Sequence, residues 1–255
     1  MDRTRICFIG CGNLATQMAS AFSQCATIVQ LYSRTESSAK ALAEKIGCPY
    51  TTDIKALTND ADIYICALKD SAFDEVLSKG DFKNKLLVHT AGSMPMSVLA
   101  SYTGRYGVIY PLQTFSKSKA VDFSSIPLFI EACDVQTLDY LHSVANLISG
   151  KIYHVNSEVR GKLHLSAVFA SNFSNHMYAL AYELLNGSGL PFEVLLPLID
   201  ETAQKVHSLP PKEAQTGPAV RYDTNVIGKH VKMLSDDQQL AEIYKLISKD
   251  IHERG

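Results

Sequence analysis

The chain has no tryptophan and no excess of either charge: 24 Lys and Arg stand against 26 Asp and Glu, a net charge of −2. That balance leaves no footprint for nucleic acid or an anionic membrane surface. No apolar run approaches the roughly 20 residues that span a bilayer. Met1-Asp2-Arg3-Thr4-Arg5 imitates the basic head of a signal peptide, but the apolar stretch behind it is short and breaks at Gly10. The six cysteines, at positions 7, 11, 25, 48, 66 and 133, show no CxxC and no Cys/His spacing suited to a metal. Several fall in apolar, strand-like runs, as small core residues do. The expectation is a cytoplasmic protein with free thiols, a small-molecule substrate, and no metal, nucleic-acid or membrane partner. Neither an internal repeat nor a low-complexity linker divides the 255 residues, and 46% of them are apolar. This is enough for one large domain or two modest ones with a sizeable core.

What is present is concentrated near the start. Gly10-Cys11-Gly12-Asn13-Leu14-Ala15 follows the apolar run Ile6-Cys7-Phe8-Ile9, and helix-period positions (Leu14, Met18, Ala21, Phe22) follow it. A strand feeding a glycine turn and then a helix is how a doubly wound sheet holds a dinucleotide pyrophosphate. The first glycine makes the turn, the second lets the phosphates approach the backbone, and Ala15 is small enough for close helix–strand packing. The helix N-terminus then offers unpaired N–H groups to the anion. The turn places Gly10, Gly12, Asn13, Leu14 and Ala15 in the cofactor site.

Short apolar runs alternate with helical segments through the first half. Strands are expected near 6–9, 28–32, 63–67, 86–90, 107–110, 128–131 and 151–154, and helices near 14–24, 36–46, 71–77, 95–101 and 135–148. Such alternation predicts a mostly parallel sheet with helices on both faces. From about residue 156 the strand signal stops. A long helix is expected over 157–185, capped by Ser157 and ended by Asn186-Gly187-Ser188-Gly189. Further helices are expected over 191–209, 218–234 and 236–252, with Pro218 at a first helical position after Thr216-Gly217. The chain thus reads as α/β: an N-terminal doubly wound Rossmann domain over 1–155 and an all-α C-terminal domain over 156–255.

The second strand ends Leu31-Tyr32-Ser33-Arg34-Thr35, with no acid at the tip to take a ribose 2′-hydroxyl. Arg34 suits a 2′-phosphate, with Ser33 and Thr35 adding hydroxyls. The cofactor expected is therefore NADP, although Glu36 lies close by. Ala67, Leu68 and Lys69 follow a strand at its carboxyl end, the edge where ligands of open sheets lie. They are expected to border the nicotinamide ribose.

The glycine turn with the Ser33-Arg34-Thr35 tip resembles pyrroline-carboxylate reductases and the NADP-binding domain of deazaflavin-dependent NADP reductases. Three further stretches narrow the resemblance: His89-Thr90-Ala91-Gly92-Ser93, Tyr110-Pro111-Leu112-Gln113-Thr114-Phe115, and Thr216-Gly217-Pro218-Ala219-Val220-Arg221-Tyr222-Asp223 with His230. Together they are similar to Rossmann-like NADP oxidoreductases with an uncharacterised helical C-terminal domain, itself resembling that of phosphogluconate dehydrogenase. Ala91 departs from the serine usual there. The resemblance implies a fold, NADP and a homodimer through the C-terminal helices, but no substrate.

A nicotinamide enzyme needs placement and one proton donor. His89 ends a strand and is a candidate, reading equally as a buried histidine bonded to backbone. Ser93 could hold a substrate carboxylate. Gln113 could read a polar group or simply cap its loop. On the long helix His164 and Asn175 are eleven residues apart and share a face at α spacing, with Asn172 beside them. His230 shares a face with Asp223 by the same rule, and Arg221 could bind a substrate anion, even across a dimer interface, or pair with Asp223. His230 and Asn172 rank slightly ahead of His89 and His164 as proton-handling or orienting residues. Lys162 reads as solvated. The leading expectation is an NADP-dependent oxidoreductase acting on a small polar carbonyl or imine. The alternatives are a non-catalytic NADP sensor or an NADP–deazaflavin oxidoreductase, the latter disfavoured by the lack of tryptophan. NADPH is expected to bind at least tenfold tighter than NADH, about 1.4 kcal/mol; equal affinities in a fluorescence titration would contradict the reading of Arg34.

Overall fold

The computed structural model describes residues 3–254. In chain order the first elements are β1 (Arg5–Ile9), α1 (Asn13–Phe22), β2 (Thr27–Tyr32), α2 (Glu36–Ile46), β3 (Tyr50–Thr51), β4 (Ile63–Cys66), α3 (Phe73–Leu77) and β5 (Leu86–His89). Then come β6 (Arg105–Pro111), β7 (Leu128–Ala132), α4 (Val135–Asn146), β8 (Ile152–His154), α5 (Ser157–Ala167) and α6 (Ser174–Leu185). The remaining helices are α7 (Leu196–Lys205), α8 (Pro211–Ala214), α9 (Thr224–Met233) and α10 (Gln238–Arg254). The strands form one sheet in the order β3-β2-β1-β4-β5-β6-β7-β8. Neighbours are parallel except β6 and β7. Strand order reverses direction at β1, and the crevice beyond the carboxyl ends of β1 and β4 is where such sheets bind ligands.

The sheet is buried on both faces because its strands are apolar at successive positions. Along β1, Ile6 and Phe8 join a cluster with Ala15, Met18 and Phe22 of α1, and Leu141 and Val144 of α4. Cys7 and Ile9 point the other way, into a cluster with Phe73, Val76 and Leu77 of α3. Burial pushes the Cys7 thiol up to about 12, with Lys85 pulling weakly against it. All six cysteines are free. Among the described residues, no helix is long and apolar enough to cross a membrane.

Each expected strand is present, but β3 is an addition. Its two residues pair only with β2, too short a run to show a period. Two expected helices contract: 71–77 becomes a 3₁₀ turn at Asp70–Ala72 leading into α3, and 95–101 becomes a 3₁₀ turn at Met96–Leu99. The helix at 191–209 resolves into a 3₁₀ turn at Phe192–Leu195 and α7. Pro218 does not start a helix. Gly217 at φ +106° and Tyr222 at φ 48° break the backbone on either side of it. The helix instead begins at Thr224, where the Asp223 carboxylate accepts the Val226 N–H at 3.1 Å.

Helix α5 is likewise capped by a different residue from the one expected. The side chain of Asn156 accepts the Val159 N–H at 2.9 Å. Ser157 is engaged elsewhere: its hydroxyl donates to Glu131 on β7 at 2.8 Å and accepts the Met96 N–H at 2.9 Å. The helix then passes through a π segment at Val168–Phe173 before α6. A π turn holds more residues than an α turn, so the phase between His164 and Asn175 departs from the α spacing.

The chain divides into two compact units, Met1–Met177 and Tyr178–Gly255. The sheet lies wholly in the first. In the second, α9 and α10 pack together, and His230 Nδ1 lies 2.8 Å from Tyr244 Oη. The ring of Tyr222 stacks on His252, centroids 4.8 Å apart.

Arg160 is the largest buried charge. Its side chain is 0% exposed and pairs with Glu131, itself 14% exposed. It also donates to the Met94 carbonyl at 2.5 Å and to Ser157 Oγ at 3.2 Å. One guanidinium thereby ties α5, β7 and the loop after β5 together. Breaking a buried pair leaves the partner's charge uncompensated. Arg160→Met is therefore expected to cost about 3–5 kcal/mol, read as a lower urea midpoint; an unchanged midpoint would show that the pair is dispensable.

Candidate active site

The glycine turn is shaped by backbone contacts. Gly10 adopts φ +114°, and a Cβ there would lie 2.3 Å from the Ala67 carbonyl oxygen. Only glycine fits so close an approach. The Gly10 N–H donates to the Tyr32 carbonyl at 2.8 Å and the Ala67 N–H to the Ile9 carbonyl at 2.9 Å. These bonds fix the turn between β2 and β4. Gly12 is different: a Cβ there would meet nothing within 4 Å. It caps α1 with no side-chain hydrogen bond and no acid in the first turn. An open, uncapped helix start beside a bare glycine fits a dinucleotide pyrophosphate.

This helix start opens on a cavity of about 640 Å³ at the carboxyl edge of the sheet. Its walls are residues 12–15, 67–70 after β4, and 90–93 after β5, with Tyr110 of β6 and His164 of α5. Asn13, Leu14, Ala15, Ala67, Leu68 and Lys69 thus line one cavity. The Asn13 side-chain amide donates to the Phe115 carbonyl at 3.0 Å.

At the far end of the nucleotide edge, Ser33 Oγ accepts the Thr35 N–H at 3.2 Å. Arg34 is not free: its guanidinium hydrogen-bonds the Glu75 carboxylate on α3.

Tyr110 and His164 are the most chemically suggestive pair in the cavity. Tyr110 Oη lies 3.1 Å from His164 Nδ1, and the rings meet edge to face with centroids 5.9 Å apart. Gly92 lies against them. A Cβ on Gly92 would sit 2.6 Å from His164 Nδ1 and 2.8 Å from Tyr110 Cζ. The Gly92 position therefore has no room for any other residue. Burial pushes the Tyr110 hydroxyl up, while Arg160 pulls it down. Sequence reasoning picked out His164 but passed over Tyr110, which reads as one more apolar residue of a strand.

The other candidates are dispersed. His89 is 0% exposed and is not among the residues lining the cavity. Its Nδ1 accepts the Ala91 N–H at 3.1 Å, which puts the ring proton on Nε2. That nitrogen is buried with no hydrogen-bond partner. Burial, helped by the Arg160 charge, lowers the His89 pKa to about 4, so the ring is neutral at pH 7. Ser93 lines the cavity, but its hydroxyl donates to the Asp70 carboxylate at 2.7 Å. Gln113 accepts the Thr114 N–H at 2.8 Å and lies outside this cavity. Asn172 is exposed within the π segment. His230 belongs to the second unit, as does Arg221, which is exposed and makes no ion pair among the described residues.

Several known proteins are similar to this chain. A family model described as NADP oxidoreductase, coenzyme F420-dependent, matches residues 5–92, and one described as a domain of unknown function, DUF2520, matches residues 126–251. A crystal structure of a candidate NADP oxidoreductase from Bacteroides fragilis shares 53% identity over 98% of each chain, with a TM-score of 0.94. A 1-pyrroline-5-carboxylate reductase from Streptococcus pyogenes aligns over 98% of each chain at 14% identity and a TM-score of 0.64. An imine reductase from Myxococcus stipitatus in complex with NADP⁺ aligns over 98% of this chain and 92% of its own, at 16% identity and a TM-score of 0.66. The last two share the fold. No curated protein matches the chain.

At Gly12, stability and cofactor binding make separable predictions. Gly12→Ala, with open space for its methyl and φ −78°, is expected to change stability by less than about 0.5 kcal/mol. The same variant is expected to weaken NADPH binding at least about tenfold. Unchanged NADPH affinity by titration would rule out pyrophosphate contact at this turn.

Proposed function

We propose that this chain, which belongs to the NADP oxidoreductase family represented by the Bacteroides fragilis protein, reduces a small polar C=N or C=O compound in the cavity above β1, β4 and β5. The observation that carries this reading is one cavity holding both the glycine-turn helix start and the Tyr110–His164 pair. NADPH supplies the hydride when bound. The residues of the chain do the rest.

The backbone N–H groups at Gly12, Asn13 and Leu14 hold the pyrophosphate, and Lys69, exposed at the rim, adds a positive charge. Arg34 with Ser33 and Thr35 takes the 2′-phosphate. Tyr110 donates its Oη proton to the substrate heteroatom as the C=N or C=O bond accepts the hydride at carbon. His164 Nδ1, 3.1 Å away, hydrogen-bonds the phenol oxygen and restores its proton. Ser93 does not act as a free carboxylate-binding donor, because its hydroxyl is bonded to Asp70. The fixed Asp70 carboxylate instead favours a substrate with positive charge. An imine, which gains positive charge as Tyr110 protonates its nitrogen, answers to that better than a keto acid. His89 contributes by holding the Ala91 N–H, and hence the loop bearing Gly92, in place.

The matched description naming coenzyme F420 supports a second reading, hydride exchange with a deazaflavin, although it matches only residues 5–92. The helical part of the chain carries the homodimer. Leu165, Phe169 and Phe173, at i,i+4 spacing, are 59%, 62% and 48% exposed. Tyr182, Leu198 and Leu246 are at least 62% exposed in the second unit. Apolar faces of this extent call for a partner, and a second copy of the chain is the simplest one.

NADPH consumption with a panel of cyclic imines, keto acids and flavins is expected to show turnover with imines. Tyr110→Phe should then lower kcat by about 10²–10⁴-fold with unchanged NADPH affinity. A Tyr110→Phe enzyme with full turnover would remove the phenol from the chemistry, and binding without turnover on any substrate would favour a sensor. Sedimentation is expected to give twice the 28.0 kDa chain mass; a monomer at micromolar concentration would contradict the dimer.

A further inference from the structure

We propose that Glu75 tunes cofactor selectivity by competing with the NADP 2′-phosphate for Arg34. The inference rests on the reading of Arg34 as the 2′-phosphate ligand.

Arg34 follows β2 at the nucleotide edge and Glu75 lies on α3, so two separate βα connections bring them together. The Arg34 guanidinium bonds Glu75 Oε2, while Glu75 Oε1 lies 3.9 Å from Lys79 Nζ. Both side chains of the Arg34–Glu75 pair are 51% exposed. The Tyr32 hydroxyl senses both charges: burial raises its pKa, Arg34 lowers it and Glu75 raises it. The two charged groups therefore share one small surface at the end of β2.

A guanidinium carries five N–H donors on two edges; Glu75 holds Nη1 of Arg34, and a phosphate that takes the edge bearing Nη1 competes with it. The phosphate carries more charge and is the stronger partner. To take that edge it must displace Glu75, leaving a carboxylate beside a new anion. NADH pays no such penalty, since a carboxylate at this edge accepts a ribose 2′-hydroxyl. Glu75 thus disfavours NADP while tolerating NAD, and it narrows the preference that Arg34 creates. Glu36 and Asp53, the other acids near this edge, make no ion pair among the described residues, so they do not compete in the same way.

The test is a fluorescence titration of NADPH and NADH against the full-length wild type, Glu75→Gln, Arg34→Gln and the double variant. Glu75→Gln is expected to tighten NADPH about two- to fivefold, the range of an exposed ion pair, with NADH unchanged or weaker. In the Arg34→Gln background that gain should vanish. Glu75→Gln altering both cofactors alike, or neither, would overturn the proposal, as would a gain that persists without Arg34. Arg34→Gln leaving NADPH affinity intact would instead refute the 2′-phosphate reading itself, and with it this inference. Loss with Arg34→Gln but no change with Glu75→Gln would overturn the competition alone.

Discussion

A single guanidinium, Arg160, holds the cavity walls in place. It joins the start of α5 to Glu131 of β7 and to the Met94 carbonyl, just past the loop that carries Gly92 and Ser93. His164 is one helical turn further along α5. Tyr110 lies on β6, the strand paired with β7. If Arg160 lost its partners, the tie between the helix bearing His164 and the loop after β5 would fall to Ser157, which bonds Glu131 and the Met96 N–H. Its charge is also felt at His89 and Tyr110. A buried ion pair is a weak source of net stability, so its value here is positional: it sets the relation between a strand end, a loop and a helix.

The glycine turn forms another wall of the same cavity by a different route. Gly10 is forced by a backbone contact with Ala67, whereas Gly12 is surrounded by open space. The first glycine therefore shapes the fold and the second leaves room for a ligand. Gly92 resembles Gly10 in meeting close neighbours, but those neighbours are the side chains of Tyr110 and His164 rather than backbone.

The turn, the alternating elements and the shift to helices were legible in the sequence because each is a local pattern. Ile6–Ile9 shows its strand by composition, and Gly10 and Gly12 show the turn by spacing. The contacts that make the site were much less legible. Arg160 lies in a polar helical stretch and reads like Lys162, which is indeed exposed and paired with Glu158 at i,i+4. Only the placement of β7 buries one and leaves the other in water. Tyr110 was hidden because its ring suits a strand interior whatever its hydroxyl does. The His164–Asn175 alignment assumed an unbroken α-helix, and the π segment between them has no simple sequence signature. Ser157 was misread as a cap because Asn156, one residue earlier, has the same capping chemistry and Ser157 has a tertiary partner in Glu131.

The most direct measurement is a crystal structure of the chain with NADPH. Expected is a pyrophosphate on the amides of Gly12, Asn13 and Leu14, with the nicotinamide ring in the cavity beside Tyr110 Oη and Gly92. A dinucleotide bound elsewhere, or a nicotinamide directed away from the Tyr110–His164 pair, would contradict the assignment of this cavity as the site of hydride transfer.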